Sequence, residues 1–133
     1  MHDHVFICYA REDQVFTLEL AGNLRDRGIP VWIDQVDIPT GADWDMAIDD
    51  ALYECATLLI VISPDAVSST EVRGELRTAL DEGKTILPLI HKACRIPRQL
   101  RLLQYADFTN LEPADEDGLK QVLEALGIES TRI

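Results

Sequence analysis

The most hydrophobic segment of this 133-residue chain is a run of five aliphatic residues at positions 58–62. Apolar side chains occupy both odd and even positions, so a strand built from this run exposes neither of its faces to water. Strands of this kind occur in sheets that helices cover on both sides. The segment therefore predicts an α/β fold with a mostly parallel sheet.

Shorter apolar runs and helical patterns alternate along the rest of the chain. Further strands are predicted at residues 5–9, 29–33, 85–90 and 106–109. Helices are predicted between them: one with Asp13 as its N-cap ends at Gly28, one with Asp43 as its N-cap includes Glu54, and a third stops at Gly83. A last helix is predicted over residues 115–126. This order favours a parallel sheet with helices on both faces, in which binding groups gather at the carboxyl ends of the strands.

Composition excludes several classes of protein. Twelve Lys and Arg against 24 Asp and Glu give a formal net charge of -12, which makes nucleic acid a poor partner because its affinity comes chiefly from cations. No apolar run approaches the roughly 20 residues that span a bilayer, and we expect neither a membrane segment nor a signal peptide. The three cysteines form no C-x-x-C pair, so we expect a reduced, cytoplasmic protein.

The charges are unevenly distributed along the chain. No Lys or Arg occurs between Gly28 and Val72, where nine acidic residues fall. Four cations then cluster in one later stretch, at Lys92, Arg95, Arg98 and Arg101. Two interpretations stay open, namely a self-complementary surface for head-to-tail association and two separate solvated faces.

Familiar cofactor and catalytic patterns are absent from the sequence. It contains no glycine-rich dinucleotide or phosphate-binding loop, and no serine lies in a nucleophile elbow that would make a triad with His91. A phosphoacceptor receiver domain would need an aspartate where this chain has Ser63. His2 and His4 lack a third ligand, so we predict no metal site.

Glu75 is the anomaly in the predicted third helix. It lies on the flank of the apolar stripe formed by Val72, Leu76 and Ala79. None of its neighbours three or four positions away is cationic, and one of them is Glu71. Glu75 is either a boundary residue whose carboxylate reaches water or a carboxylate that faces a cleft.

Four ordered motifs, at residues 5–13, 32–44, 59–64 and 71–75, together resemble the Toll/interleukin-1 receptor (TIR) domain family, in its bacterial type. Residues 5–13, with the sequence VFICYARED, resemble the first signature box, and residues 32–44 resemble the second box with its BB loop. Residues 59–64 resemble the third strand, and residues 71–75 resemble the glutamate-bearing helix. Cys8 replaces a common Ser or Thr, Glu71 occupies a position that is often aromatic, and Phe108 is the clear aromatic of a degenerate third box.

The resemblance implies a flavodoxin-like, five-stranded parallel sheet of order 2-1-3-4-5 with helices on both faces. We expect a single TIR domain over residues 1–133, with its core at about 5–126. Many TIR domains cleave NAD⁺, whereas others only assemble with one another. An NAD⁺ glycohydrolase that is active on self-association, in prokaryotic immunity or signalling, is therefore the first hypothesis, and a non-catalytic TIR–TIR interaction module is the alternative.

The resemblance also implies roles for particular residues. Glu75 matches the catalytic glutamate, and NAD⁺ is the substrate, with no separate cofactor. The expected substrate-binding residues are Tyr9, Arg11, Trp32, Asp34 and Ser63. The expected BB-loop and assembly residues are Asp37, Ile38, Pro39, Gly41 and Trp44. We expect the chain to associate with other TIR domains, with filaments as one form of assembly. We expect the reaction product to be either ADP-ribose or a cyclic ADP-ribose.

Two of these residues also have structural interpretations. Trp32 stacks on the nicotinamide ring or packs in the core, and Arg11 offsets the charge of the diphosphate or is an ordinary surface arginine. Gly41 is expected to adopt a positive φ in the BB loop.

Overall fold

A central sheet of five parallel strands organises the protein, whose computed structural model describes residues 4–34, 38 and 40–127. The strands are Val5–Cys8 (β1), Val31–Trp32 (β2), Thr57–Ile62 (β3), Thr85–Ile90 (β4) and Ala106–Asp107 (β5). Their order is β2-β1-β3-β4-β5, and every pairing is parallel. Both the fold class and the strand order are confirmed.

The aliphatic run forms the centre of this sheet. All six residues of β3 are buried, and β3 pairs with β1 on one side and with β4 on the other. The edge strands β2 and β5 contain two residues each and are shorter than the sequence predicts. Each edge strand pairs with one neighbour, so fewer backbone hydrogen bonds stabilise it than stabilise a central strand.

Helices cover both faces of the sheet. They are Gln14–Asp26 (α1), Trp44–Glu54 (α2), Pro64–Ser68 (α3), Thr70–Asp81 (α4) and Glu116–Ala125 (α5), and 3₁₀ turns occur at Arg11–Asp13 and Arg98–Leu100. The sequence pattern does not predict α3, because five residues are too few to show a helical period. One core cluster lies under α1 and α5, and a second lies under α2 and α4.

One of the two predicted helix N-caps is present in the structure and the other is not. The side chain of Asp43 accepts a hydrogen bond from the Met46 amide at 3.1 Å and caps α2 as predicted. Asp13 precedes α1 but makes no side-chain cap, so that expectation is wrong. Its carboxylate is instead engaged by the hydroxyl of Ser63, a residue 50 positions away. Gly41 adopts a φ of +85°, as expected.

The helices of the described residues are short relative to a bilayer. None of them is both long enough and apolar enough to cross a membrane.

Candidate active site

A small cleft opens at the carboxyl edge of the sheet, between the end of β1, the start of α2 and the start of α4. Its volume is about 130 Å³. The residues that line it are Tyr9, Ala10, Arg11, Asp34, Trp44, Asp45, Ile48, Ser69, Glu71, Val72 and Glu75. The fold therefore brings together five of the residues singled out in the sequence, namely Tyr9, Arg11, Asp34, Trp44 and Glu75.

Helix α4 places Glu75 on the wall of the cleft. The Ser69 side chain accepts a hydrogen bond from the Val72 amide at 3.2 Å and caps the helix. Val72, Leu76 and Ala79 are buried against the sheet. Because Glu75 lies three residues after Val72 on the flank of this stripe, its carboxylate faces the cleft rather than the core.

The environment of Glu75 favours the neutral carboxylic acid. Burial raises the pKa of Glu75 from 4.5 to about 7, and a hydrogen bond from the Cys8 thiol opposes this rise. The negative charges of Asp34 and Glu71 raise the same pKa further. A pKa in this range lets a carboxylate work near neutral pH as an acid, a base or a charge stabiliser.

Cys8 lies beneath Glu75 and is fully buried. Its Sγ is 3.7 Å from the backbone carbonyl oxygen of Val72. Burial, followed by the charge of Glu75, raises the pKa of the Cys8 thiol well above its ordinary value. The thiol consequently stays protonated and acts as a weak hydrogen-bond donor, not as a nucleophile.

Tyr9 and Asp34 form a second polar feature of the cleft. The Tyr9 hydroxyl donates a hydrogen bond to Oδ1 of Asp34 at 2.7 Å. This bond joins the end of β1 to the segment that follows β2 and holds the Asp34 carboxylate at the wall of the cleft. Arg11 is the one cationic residue among those that line the cleft.

The two tryptophans have different positions. Trp32 stacks on Phe6, with ring centroids 5.1 Å apart and an interplanar angle of 16°, and it is not among the residues that line the cleft. Trp44 lines the cleft and is 45% exposed. The sequence analysis assigned Trp44 to the BB loop, the second helix and assembly, and not to substrate binding. Its position directly after the N-cap Asp43 could have indicated a place at the cleft, because the start of that helix lies at the carboxyl edge of the sheet.

Ser63 lies outside the cleft lining, in a buried network. Its hydroxyl donates a hydrogen bond to Oδ2 of Asp13 and accepts one from the Ala66 amide at 3.0 Å. Nε2 of His91 lies 3.8 Å from Oδ1 of Asp13, and the His91 ring stacks on Phe16 with centroids 3.9 Å apart. Burial lowers the pKa of His91, while the charge of Asp13 opposes that change. Since the hydroxyl is directed to Asp13, the three residues do not have the arrangement of a hydrolytic triad.

The predicted BB-loop residues are only partly described. Ile38 is half-buried, and Gly41 is exposed. Asp37 and Pro39 lie outside the described residues, so their assembly roles stay predictions. Within residues 4–34, 38 and 40–127, no group of three or more metal-ligating side chains is close enough to hold an ion. His4, one of the two N-terminal histidines, has its Nε2 3.2 Å from the carbonyl oxygen of Ala51.

Comparison with known proteins identifies the family. A family model described as TIR domain matches residues 5–123. The chain belongs to the TIR domain family. The TIR motifs of the sequence therefore lie within the matched region, and so do all the lining residues of the cleft.

Two relatives of this TIR domain are described by their activities. The NAD(+) hydrolase TcpA of Theionarchaea archaeon (strain DG-70-1) is 30% identical over 96 residues, which cover 68% of this chain and 29% of that protein. The 2' cyclic ADP-D-ribose synthase BtTIR of Bacteroides thetaiotaomicron is 32% identical over 92 residues, covering 65% of this chain and 32% of that protein. The chain thus spans about a third of the length of these relatives.

Solved structures agree on the fold. The TIR domain of the Toll-related receptor TRR-2 from Hydra magnipapillata has a TM-score of 0.78 at 24% identity, covering 96% of this chain and 99% of that one. A metazoan TIR-STING receptor from C. gigas has a TM-score of 0.74 at 18% identity, covering 97% of this chain and 41% of that one. The TIR domains of the activated Roq1 resistosome have a TM-score of 0.60 at 24% identity, covering 65% of this chain and 56% of that one.

Proposed function

We propose that this TIR domain cleaves NAD⁺ between its ribose and its nicotinamide, with Glu75 as the catalytic carboxylate. The observation that carries the proposal is the position of Glu75, a desolvated acid with a pKa raised to about 7, on the wall of a cleft shared with an exposed indole. The activities named for two relatives support the same reaction class.

The reaction needs only one carboxylate. The bond between ribose C1′ and the cationic pyridinium nitrogen breaks, the nitrogen keeps the electron pair, and nicotinamide leaves as a neutral molecule. No general acid is required, unlike ordinary glycoside hydrolysis. The ionised Glu75 stabilises the positive charge that develops on the ribose ring, and attack by water then releases ADP-ribose and one proton, whereas attack by a group of the same molecule gives a cyclic product.

The charges of the cleft favour one end of this substrate. Asp34, Asp45, Glu71 and Glu75 line the cleft, with Arg11 as the cation among the lining residues. These negative charges attract the cationic nicotinamide ring, and the ring in turn stabilises the ionised form of Glu75. The diphosphate is repelled by the same charges, and we assign Arg11 the role of offsetting that repulsion.

The size of the cleft suits a single ring. A volume of about 130 Å³ is well below the roughly 300–1,000 Å³ of pockets that enclose whole drug-sized ligands. We propose that Trp44, which is exposed at this cleft, stacks on the nicotinamide ring. The stacking role predicted for Trp32 stays a prediction, with its ring packed against Phe6.

The small volume also favours a second candidate function, in which the chain is a non-catalytic module that associates with other TIR domains. Under the first proposal, association with a second copy completes the site for the rest of the dinucleotide. Under the second, association occurs without any turnover. The two candidates therefore differ in nicotinamide release at protein concentrations high enough for association.

The test compares Glu75→Gln with Glu82→Gln, a matched control that removes the same charge from an exposed side chain at the end of α4, outside the cleft lining. Nicotinamide released from NAD⁺ is measured by chromatography and mass spectrometry, at high protein concentration. We expect Glu75→Gln to lower the rate by about 100-fold or more and Glu82→Gln to retain most of it. Equal rates for the wild type and Glu75→Gln would refute the assignment, and an associated wild type without turnover would favour the interaction module.

A further inference from the structure

We propose that a groove beside α4 is a binding site for a nucleoside di- or triphosphate, separate from the cleft that contains Glu75. The groove has a volume of about 900 Å³ and lies between α4 and the segment 95–101. Glu75 is not among its lining residues. The inference goes beyond the proposed NAD⁺ cleavage and does not rest on it, because the groove and the cleft share no lining residue.

The charge of this groove is opposite to that of the whole chain. Acidic residues outnumber basic ones by 24 to 12 in the sequence, yet no Asp or Glu occurs among the described residues that line the groove. Exposed arginines line it instead, so it favours a ligand with more than one negative charge. They are Arg73, Arg77, Arg95, Arg98 and Arg101, and we call the site the arginine groove.

Most of these guanidinium groups are not used by the fold. Arg77 forms an exposed ion pair with Asp81 at 3.5 Å. Nε of Arg101 donates a hydrogen bond to the carbonyl oxygen of Ile96 at 3.0 Å. The other three arginines make no hydrogen bond or ion pair with a residue in the part of the chain that the structure describes, namely Arg73, Arg95 and Arg98. Guanidinium forks bind phosphate oxygens in pairs, and these three are available to do so.

The floor of the arginine groove is apolar. Its members are Val67, Leu76, Leu80, Ile96 and Pro97, each at least partly buried. A planar aromatic ring buries apolar area on such a floor and presents its other face to a guanidinium group, which stacks on aromatic rings. An inorganic anion would leave the floor uncovered. The ligand that uses both the floor and the arginines therefore combines phosphates with a base, as a nucleotide does.

Gly74 keeps part of the arginine groove open. It lies within α4, where glycine is less favourable than alanine. A Cβ added at Gly74 would meet nothing within 4 Å beyond its own helix backbone and chain neighbours, whereas a Cβ added at Gly118 would lie 2.7 Å from the ring of Phe108. Packing thus requires a glycine at position 118 but not at position 74. The missing side chain at Gly74 leaves the backbone of α4 accessible from the groove.

The size of the arginine groove suits a nucleotide better than a polymer. Small-molecule pockets have volumes of roughly 300–1,000 Å³, and this groove lies within that range. Nucleic acid is repelled by the net charge of -12. An acidic peptide loses conformational freedom on binding and carries one charge per side chain. Two or three linked phosphates place several charges beside the same few arginines without that loss.

The first experiment measures ligand chemistry by isothermal titration calorimetry, at low salt and without magnesium, which would neutralise the phosphates. ATP is the probe, because it has no nicotinamide and the proposed cleavage does not consume it. We expect one molecule of ATP to bind per chain. Inorganic tripolyphosphate should bind about tenfold more weakly, since it leaves the apolar floor uncovered. Adenosine, which lacks the phosphates, should show no binding.

Two groove variants with matched controls locate the site. Arg98→Gln removes one charge from the groove, and Arg27→Gln removes one from an exposed residue at the end of α1. Gly74→Met fills the groove without changing the charge, and Gly22→Met makes the same change at an exposed position of α1 where a Cβ also meets nothing. We expect Arg98→Gln to weaken ATP binding about tenfold, through loss of a hydrogen bond to a charged group. Gly74→Met should weaken it at least as much, and both controls should bind like the wild type.

A wild type that binds no ATP, or groove variants that bind it like their controls, would overturn the proposed site. Tripolyphosphate that binds as tightly as ATP would overturn the role of the apolar floor. A hexaglutamate peptide that binds more tightly than ATP would overturn the nucleotide in favour of an acidic protein segment. Thermal unfolding of every variant shows whether it is folded, and Arg98→Gln, which changes an exposed side chain, tests the site independently of Gly74→Met.

Discussion

Two acidic side chains at the carboxyl edge of the same sheet are withdrawn from water in opposite ways. Asp13 is 2% exposed and accepts a hydrogen bond from Ser63, with the ring of His91 nearby. Glu75 is partly buried, receives its described side-chain hydrogen bond from the weak donor Cys8, and is surrounded by the carboxylates of Asp34 and Glu71. Asp13 thus has a hydroxyl donor to its carboxylate, whereas the surroundings of Glu75 oppose its ionised form.

The difference separates an acid that connects elements of the fold from the acid that we propose to be catalytic. A buried carboxylate that a good donor satisfies connects elements of the fold, here the start of α1 with the end of β3. A buried carboxylate among like charges costs stability, and such a cost persists where function requires the group. The comparison predicts that removing the two acids changes the free energy of unfolding in opposite directions.

The largest effect on stability is expected for Glu75→Gln. A folded pKa of about 7 against 4.5 in the unfolded chain means that the folded state binds the proton more tightly. The contribution of Glu75 is therefore most favourable below pH 4.5, declines as the pH rises toward 7 and is lost above it. Glu75→Gln should be more stable than the wild type by about 3 kcal/mol at pH 8, with little difference at pH 4.5.

Urea denaturation of both proteins at several pH values measures this difference directly. A gap that stays constant between pH 4.5 and pH 8 would show that Glu75 titrates normally in the folded protein. That result would contradict the statement that the surroundings of Glu75 oppose its ionised form.

A smaller effect of opposite sign is expected for Asp13→Ala. The substitution leaves the buried Ser63 hydroxyl without its acceptor and removes the neighbour of His91. A buried hydroxyl left without its hydrogen-bond acceptor should lower the free energy of unfolding by about 2 kcal/mol. Urea denaturation measures it, and Asp26→Ala on the exposed end of α1 is the matched control. Equal free energies of unfolding for Asp13→Ala and Asp26→Ala would contradict the structural role of Asp13.

The smallest effect concerns the donor beneath Glu75. Cys8→Ser replaces a thiol by a hydroxyl, which donates a stronger hydrogen bond to the ionised carboxylate and should lower the pKa of Glu75. We expect the pH profile of nicotinamide release, with a wild-type midpoint near 7, to move down by about half a unit. Cys8→Ala should move it up. Identical midpoints in all three proteins would mean that this hydrogen bond does not tune the acid.

Much of this fold was predictable because its signals are local. The buried central strand, the cap at Asp43 and the positive φ of Gly41 each follow from a few adjacent residues. The candidate Glu75 was also predictable, since three residues of apolar stripe define its place on the helix flank. The cap assigned to Asp13 was wrong, because a hydroxyl 50 residues away competes for the same carboxylate.

Sequence alone determined the alternation of strands and helices, the strand-end residues and the place of Glu75 on the flank of the apolar stripe of α4, because periodicity acts over a single turn or pleat. Only the tertiary structure decided that Trp44 rather than Trp32 lines the cleft with Glu75, that Ser63 donates a hydrogen bond to Asp13, and that five dispersed arginines line one groove. These pairings join segments far apart in the chain. Their partners are chosen by the packing of helices on the sheet, which no local pattern specifies.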